Sequence, residues 1–235
     1  KRQPSYAQGR RGAAPAAPAA PANPCAAPAN KIIAENCKPG NPSTDWDVNG
    51  GGDPTIQGFS TDISYNVGET AQFKIDTDSP RYRIDIYRTG YYNGDGARLI
   101  TTIRPSAQLP QKQPDCLQDW STRQHDCGNW AISASWQIPA DAVSGVYLAR
   151  MVREDPASTT WRADNSREGG SKPEATPHSY GARGLGKLRI AIKEPRASHI
   201  VFIVRDESSR ADIVMQTSDP SWTAYNTYGL GSTYN

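Results

Sequence analysis

The chain is 235 residues long, with 26 Lys and Arg against 24 Asp and Glu and a formal net charge of +2. Acids and bases are interspersed, and no basic stripe stands out beyond the first residues, so nucleic-acid binding is not expected and the surface reads as solvated. No apolar run approaches the roughly 20 residues that span a bilayer, so no membrane insertion is expected in this segment.

Hydrophobic content is 36%, with 19 Pro and 20 Gly, and the shortfall is local. Residues 1–30 carry almost no large aliphatic side chain to bury. They cannot recover the entropy lost on ordering, and residues 1–44 together read as a disordered Pro/Ala-rich tether. About 200 residues remain, enough for a domain with its own core. The chain begins at Lys1 rather than Met, which fits removal of an export signal or trimming at the start.

Four cysteines, Cys25, Cys37, Cys116 and Cys127, form no C-x-x-C pair. An even count with local spacings reads as two disulfides rather than a metal site. Three pairings are open, and spacing favours Cys25–Cys37 with Cys116–Cys127, the latter closing a polar loop for roughly 3 kcal/mol. Disulfides imply an oxidising compartment, hence a secreted or cell-surface protein.

Asp45, Asp47, Asn49 and Asp53 place oxygen donors as in the front half of a calcium loop, with Gly50 at the sharp turn. Ile56 stands where a bidentate Glu belongs, so a Gly-rich loop anchored by Trp46 is the competing and favoured reading.

From Ile56 onward the pattern becomes short alternating runs between turn residues. Ile63, Tyr65 and Val67 alternate, then Ala71, Phe73 and Ile75. Tyr82, Ile84, Ile86 and Arg88 share one face of the next run, opposite Arg83, Asp85 and Tyr87. Asn93-Gly94 and Asp95-Gly96 supply positive-φ turn residues before the run Leu99–Ile103, a hairpin signal. Trp130, Ile132, Ala134 and Trp136 alternate, and Val146, Leu148, Met151 and Val152 make another strand. Leu188, Ile190 and Ile192 make the last. This spacing predicts an immunoglobulin-like β-sandwich over residues 45–195. Gly145-Val146-Tyr147 after a turn resembles a tyrosine corner. Residues 155–186 read as one long polar loop.

After Pro195 the grammar changes. The run from His199 to Val204 is continuously apolar and ends in Arg205 and Asp206, the pattern of a strand buried on both faces of a parallel sheet. Ser208–Gln216 reads as a short helix with Ile213, Val214 and Met215 inward. Residues 196–235 are therefore expected to be the incomplete start of an α/β domain, giving a mainly β chain overall.

Several groups are candidates for chemistry. Tyr87, Tyr91 and Tyr92 with Trp161 form a possible sugar platform, against the usual reading of hairpin aromatics as packing. Trp120, Trp130 and Trp136 read as core or disulfide-packing residues, and His125, His178 and His199 as structural. No Gly-x-Ser-x-Gly elbow, His-Glu-x-x-His or phosphate loop is present. Beyond the apolar strand, the segment from Gln216 to Gly229 gathers polar and aromatic groups, among them Trp222, Tyr225 and Asn226. Ligands of open α/β sheets bind outside strand carboxyl ends, which places Arg205, Asp206 and this segment near a candidate site. Phenolates, carboxylates and amides are also hard ligands suited to oxidised iron.

The motifs Val204-Arg205-Asp206, Gln216-Thr217-Ser218-Asp219 and Trp222-Thr223-Ala224-Tyr225-Asn226 resemble the large (β) subunit family of N,N-dimethylformamidase. Ile56-Gln57-Gly58-Phe59, the stretch from Ile86 to Tyr92, and Asp126-Cys127-Gly128-Asn129-Trp130 resemble the sandwich domain that precedes the catalytic domain in exported members. The resemblance implies a glutamine-amidotransferase-like α/β domain that hydrolyses a small amide at a mononuclear ferric iron held by two tyrosinates and a glutamate. Tyr225 matches the first tyrosine, while the second tyrosine and the glutamate belong beyond Asn235, so the fragment itself is expected to be inactive. Asn226 and Asp206 carry over as site residues, and a small partner subunit is implied. The competing reading is a non-catalytic cell-surface or carbohydrate-binding sandwich module.

Overall fold

Side-chain alternation decides the sheets. In β3, Thr70–Thr77, the inward residues Ala71, Phe73 and Ile75 are fully buried while their neighbours are not, as a strand with one covered face requires. The computed structural model describes residues 23–48, 50–119, 121–122, 124–156 and 196–225. Asn49, Trp120, Trp161, His178, the expected strand at Leu188–Ile192, most of the expected long loop and Asn226 lie outside the described residues.

The protein is mainly β. β1, Ile56–Ser60, β3 and β8, Ala134–Gln137, form a three-stranded antiparallel sheet in the order β1-β3-β8. A five-stranded sheet combines β2, Ser64–Asn66; β4, Tyr82–Thr89; β5, Ala97–Ile103; β9, Gly145–Arg153; and β10, Ala197–Arg205. Its order is β2-β10-β9-β4-β5, antiparallel except for the parallel pairing of β10 with β2. A separate hairpin joins β6, Leu117–Asp119, to β7, Gln124–Asp126.

The two larger sheets share one core. Ile56, Phe73, Ile75 and Trp136 come from the first; Ile84, Ile86, Tyr147, Met151 and Phe202 come from the second. Phe202 meets the rings of Tyr65, Phe73, Trp136 and Tyr147 at centroid distances of 5.6–6.1 Å. Such edge and tilted contacts add to the area that aromatics bury. Trp130 and Trp136 are buried, as their alternation indicated. The strand at Trp136 is shorter than that alternation suggests, because pairing to β3 ends at Ala134. The Ser133 hydroxyl then takes over, accepting from the Ile75 N–H at 2.8 Å, and Ile132 turns outward at 42% exposure.

The strand at 197–205 is the first correction. Read from sequence as the opening of an α/β unit, it lies instead between β2 and β9, with Ala197 opposite Val152 and Val204 opposite Gly145. Ile200, Phe202 and Val204 enter the shared core while Val201 is 46% exposed. The unbroken apolar run is that of a strand with one fully covered face and a partly open one. A run this short cannot by itself distinguish that from a strand inside a parallel sheet.

The second correction concerns the expected tether. Residues 23–48 carry two short helices, α1, Lys31–Asn36, and α2, Ser43–Trp46. The Asn30 side chain caps α1 by accepting from Ile33 N at 2.9 Å, satisfying a donor that a helix start leaves open. Cys25 pairs with Cys37, and Cys116 with Cys127, the local pairing that spacing favours. Trp46 donates its indole N–H to the carbonyls of Asn41 and Asp95, both at 3.1 Å. It joins Leu99 over a second small core of Tyr87, Ala97 and Leu148 on the outer side of the five-stranded sheet. Gly96, at φ +85°, is needed there, since a Cβ would come within 2.8 Å of the Trp46 ring.

The third correction is a helix. Ser208–Gln216 is not helical, and Ile213, Val214 and Met215 are 85%, 87% and 71% exposed. Helix α3 forms at Asp219–Tyr225 instead. Asp219 in its first turn complements the positive helix end, and Pro220 occupies a position whose N–H would have no helical partner.

Candidate functional site

Asp206 follows β10 directly. Its Oδ1 accepts from the Ser208 backbone N–H at 3.1 Å and from the Ser208 hydroxyl at 2.6 Å. Its Oδ2 pairs with the Lys31 ammonium on α1. The hydrogen bonds from Lys31 and Ser208 hold its carboxyl below the ordinary 3.8, against a small opposing effect of burial. Asp206 is thus a hydrogen-bonded, ion-paired carboxylate one residue beyond the end of β10. Arg205 beside it donates to Ser64 and, at 3.0 Å, to Glu207. Arg205, Ser64, Tyr65, Asp62 and Glu69 line an open surface depression at the β2 edge.

Tyr225 closes the described part of α3 and is 66% exposed, with Trp222 on the same helix 50% exposed. Its phenol suits ferric iron as a donor. One phenol does not make a site, however, and among the described residues no group of three or more His, Cys, Asp and Glu side chains gathers as a metal requires. Of the calcium candidates, Asp45, Asp47 and Asp53 are described, and they join no group of three or more His, Cys, Asp and Glu side chains among the described residues. Asp53 Oδ1 is turned into its own loop, accepting from Thr55 N at 2.8 Å and Thr55 Oγ1 at 2.7 Å. Asp47 Oδ1 accepts from Val48 N at 2.8 Å, and Asp45 lies in α2 with its carbonyl bonded to the Tyr87 hydroxyl.

The proposed aromatic platform divides. Tyr87 and Tyr92 are 4% and 0% exposed, and of its described members only Tyr91, at 69%, faces solvent. Burial pushes the phenols of Tyr87 and Tyr92 above the ordinary 10.0. His199 is structural: its Nε2–H donates to the Trp46 carbonyl, and burial pushes the imidazole below the usual 6.5. His125 sits in β7.

Two polar clusters were not anticipated from sequence. Glu35 of α1 is buried, accepting from Arg98 Nε at 2.7 Å, Arg98 Nη2 at 2.5 Å and the Tyr92 hydroxyl at 3.1 Å. Lys38 pairs with its second oxygen at 2.7 Å. Burial pushes the Glu35 carboxyl up, but the Lys38 and Arg98 hydrogen bonds outweigh it and leave the group below 4.5. The second cluster closes the ends of β9 and β10. Asp155 accepts from Arg153 at 3.0 and 2.7 Å and from Arg196 at 2.9 Å, and Ser79 also donates to it. Burial raises this carboxyl, yet those donors hold it far below 3.8. The signal for the first cluster was present: the stretch Lys31–Asn36 holds the first aliphatic pair after the Pro/Ala run and follows a capping Asn.

The model of the family described as N,N-dimethylformamidase beta subunit-like, C-terminal, matches residues 83–235, well over half of the chain. The chain belongs to this family. The matched residues run from β4 through β10 and α3, so they include Asp206, Trp222 and Tyr225. No curated protein matches the chain. Among the described residues, no helix is long and apolar enough to cross a membrane.

Proposed function

We propose that the chain is the front part of an exported amide hydrolase of the N,N-dimethylformamidase type. In this reading an immunoglobulin-like sandwich that includes β10 precedes an α/β catalytic unit starting beyond that strand, and Tyr225 is one ligand of a mononuclear ferric iron. The observation that carries it is the family match over residues 83–235, whose span takes in Arg205, Asp206 and α3, the segment that resembles the ligand-bearing motif. Iron bound there would supply a Lewis acid for a formamide carbonyl and acidify a bound water. This chain's own contribution is to hold Asp206 ionised beside the motif and to fix the start of the segment on β10.

Other features support the surrounding parts of the reading. The Tyr147 hydroxyl donates to the Val143 carbonyl at 2.7 Å, the tie that a tyrosine corner makes in immunoglobulin-like domains. Both disulfides favour an oxidising compartment. A family described by a beta subunit favours a partner subunit. The carbohydrate-module alternative loses ground, because Tyr87 and Tyr92 are committed to packing.

The test is hydrolysis of a dialkylformamide by the protein expressed in its natural reading frame, read as release of amine and formate. The proposal expects turnover that Tyr225→Phe abolishes while the fold persists. Absence of turnover across a panel of formamides and simple amides, in iron-loaded protein, would contradict it.

A further inference from the structure

The segment from Cys25 to Trp46 makes contacts a tether would not. Helix α1 has only six residues, too few to offset the cost of helix nucleation alone. Its stability comes from what surrounds it. Its C-terminal half is fastened to the sheet: Glu35 binds Arg98 and Tyr92, and Asn36 Oδ1 accepts from the Tyr91 N–H at 2.8 Å. Its N-terminal half reaches the other way, with Lys31 pairing to Asp206. Lys31 lies inside the loop that Cys25–Cys37 closes.

We propose that this segment is a strap that positions Asp206 through Lys31, and that the Cys25–Cys37 disulfide sets how firmly the hold is kept. Asp206 in turn organises the turn after β10, since its Oδ1 holds the Ser208 N–H and its carbonyl accepts from the Ser209 N–H at 3.0 Å. Lys31 is therefore a positioning residue for the start of the family motif. Opening the disulfide needs an external dithiol. The bond takes two electrons and two protons to give two thiols, and the dithiol is oxidised to its own disulfide. Cys25 is exposed and open to such attack. Glu35 keeps its partners afterwards, but the start of α1 loses its closure and Lys31 its fixed reach. This coupling holds whatever chemistry Asp206 serves; only its use in amide hydrolysis rests on the preceding reading.

Amide exchange at Ser208 and Ser209 tests the strap, together with NMR titration of the Asp206 carboxyl. In Lys31→Met both amides should exchange faster by roughly twofold or more, the scale of a partly exposed ion pair, and Asp206 should titrate closer to the ordinary carboxylate range. Lys31→Arg should restore both. Cys25→Ser/Cys37→Ser should behave as Lys31→Met does, with the Ile75 amide, bonded to Ser133, still protected as proof of an intact fold. Should that double variant fail to fold, brief dithiol treatment of native protein makes the same comparison, with alkylation of Cys25 and Cys37 read by mass spectrometry. Unchanged exchange and titration in Lys31→Met would overturn the positioning role. Unchanged values after loss of the disulfide, with Ile75 protected, would overturn its control. Neither readout depends on amide hydrolysis.

Discussion

Glu35 shows how much one residue can fasten. A buried carboxylate with donors from Arg98, Tyr92 and Lys38 leaves those donors unmatched if its charge is removed. Glu35→Gln should destabilise the protein by about 1–2 kcal/mol, below the full value of charged hydrogen bonds because Arg98 and Lys38 are partly solvated. The pH dependence has a definite sign. The folded carboxyl titrates below its ordinary 4.5, so its stabilisation is complete above that value and is lost as pH falls through the lower, folded one. Urea melts of wild type and Glu35→Gln from neutral to acid pH should converge at the acid end. A constant gap down to that end would contradict the assignment.

Among the elements, β10 decides the architecture. If it were merely the first strand of a separate unit, truncating its core side chain would leave the two sheets stable. Phe202 instead packs on four aromatic rings from β2, β3, β8 and β9. Phe202→Ala should therefore cost about 3–5 kcal/mol, measured by chemical denaturation followed through tryptophan fluorescence. A loss under about 1 kcal/mol would mean that β10 is not part of the shared core. The strands β3, β4, β5 and β9 were legible because period-2 alternation and the Asn93-Gly94 turn speak locally. Placing β10 was not legible, since its partners β2 and β9 are fixed by long-range pairing. Helix α1 was hidden by the Pro/Ala composition before it, and its stability depends on Arg98, far along the chain. For the same reason the Asp155–Arg196 contact could not be read from residues 41 positions apart.

At the scale of the whole molecule, two β-sheets on one core carry a family motif at the end where β10 leaves the body. The motif was legible as a resemblance because Arg205-Asp206 and Trp222–Tyr225 occur in order, and the family match spans them. The proposed site was not, because any ligand set is assembled in three dimensions and spacing shows only separate candidate residues. Tyr87 and Tyr92 illustrate the limit: their sequence suits a binding platform, yet burial assigns them to packing. The most direct measurement is iron content with a visible spectrum, on the protein expressed in its natural reading frame and on Tyr225→Phe. Stoichiometric iron is expected, with a coloured phenolate-to-metal band that the substitution removes. A folded, colourless protein that holds no iron when supplied with it would contradict ligation of iron by Tyr225.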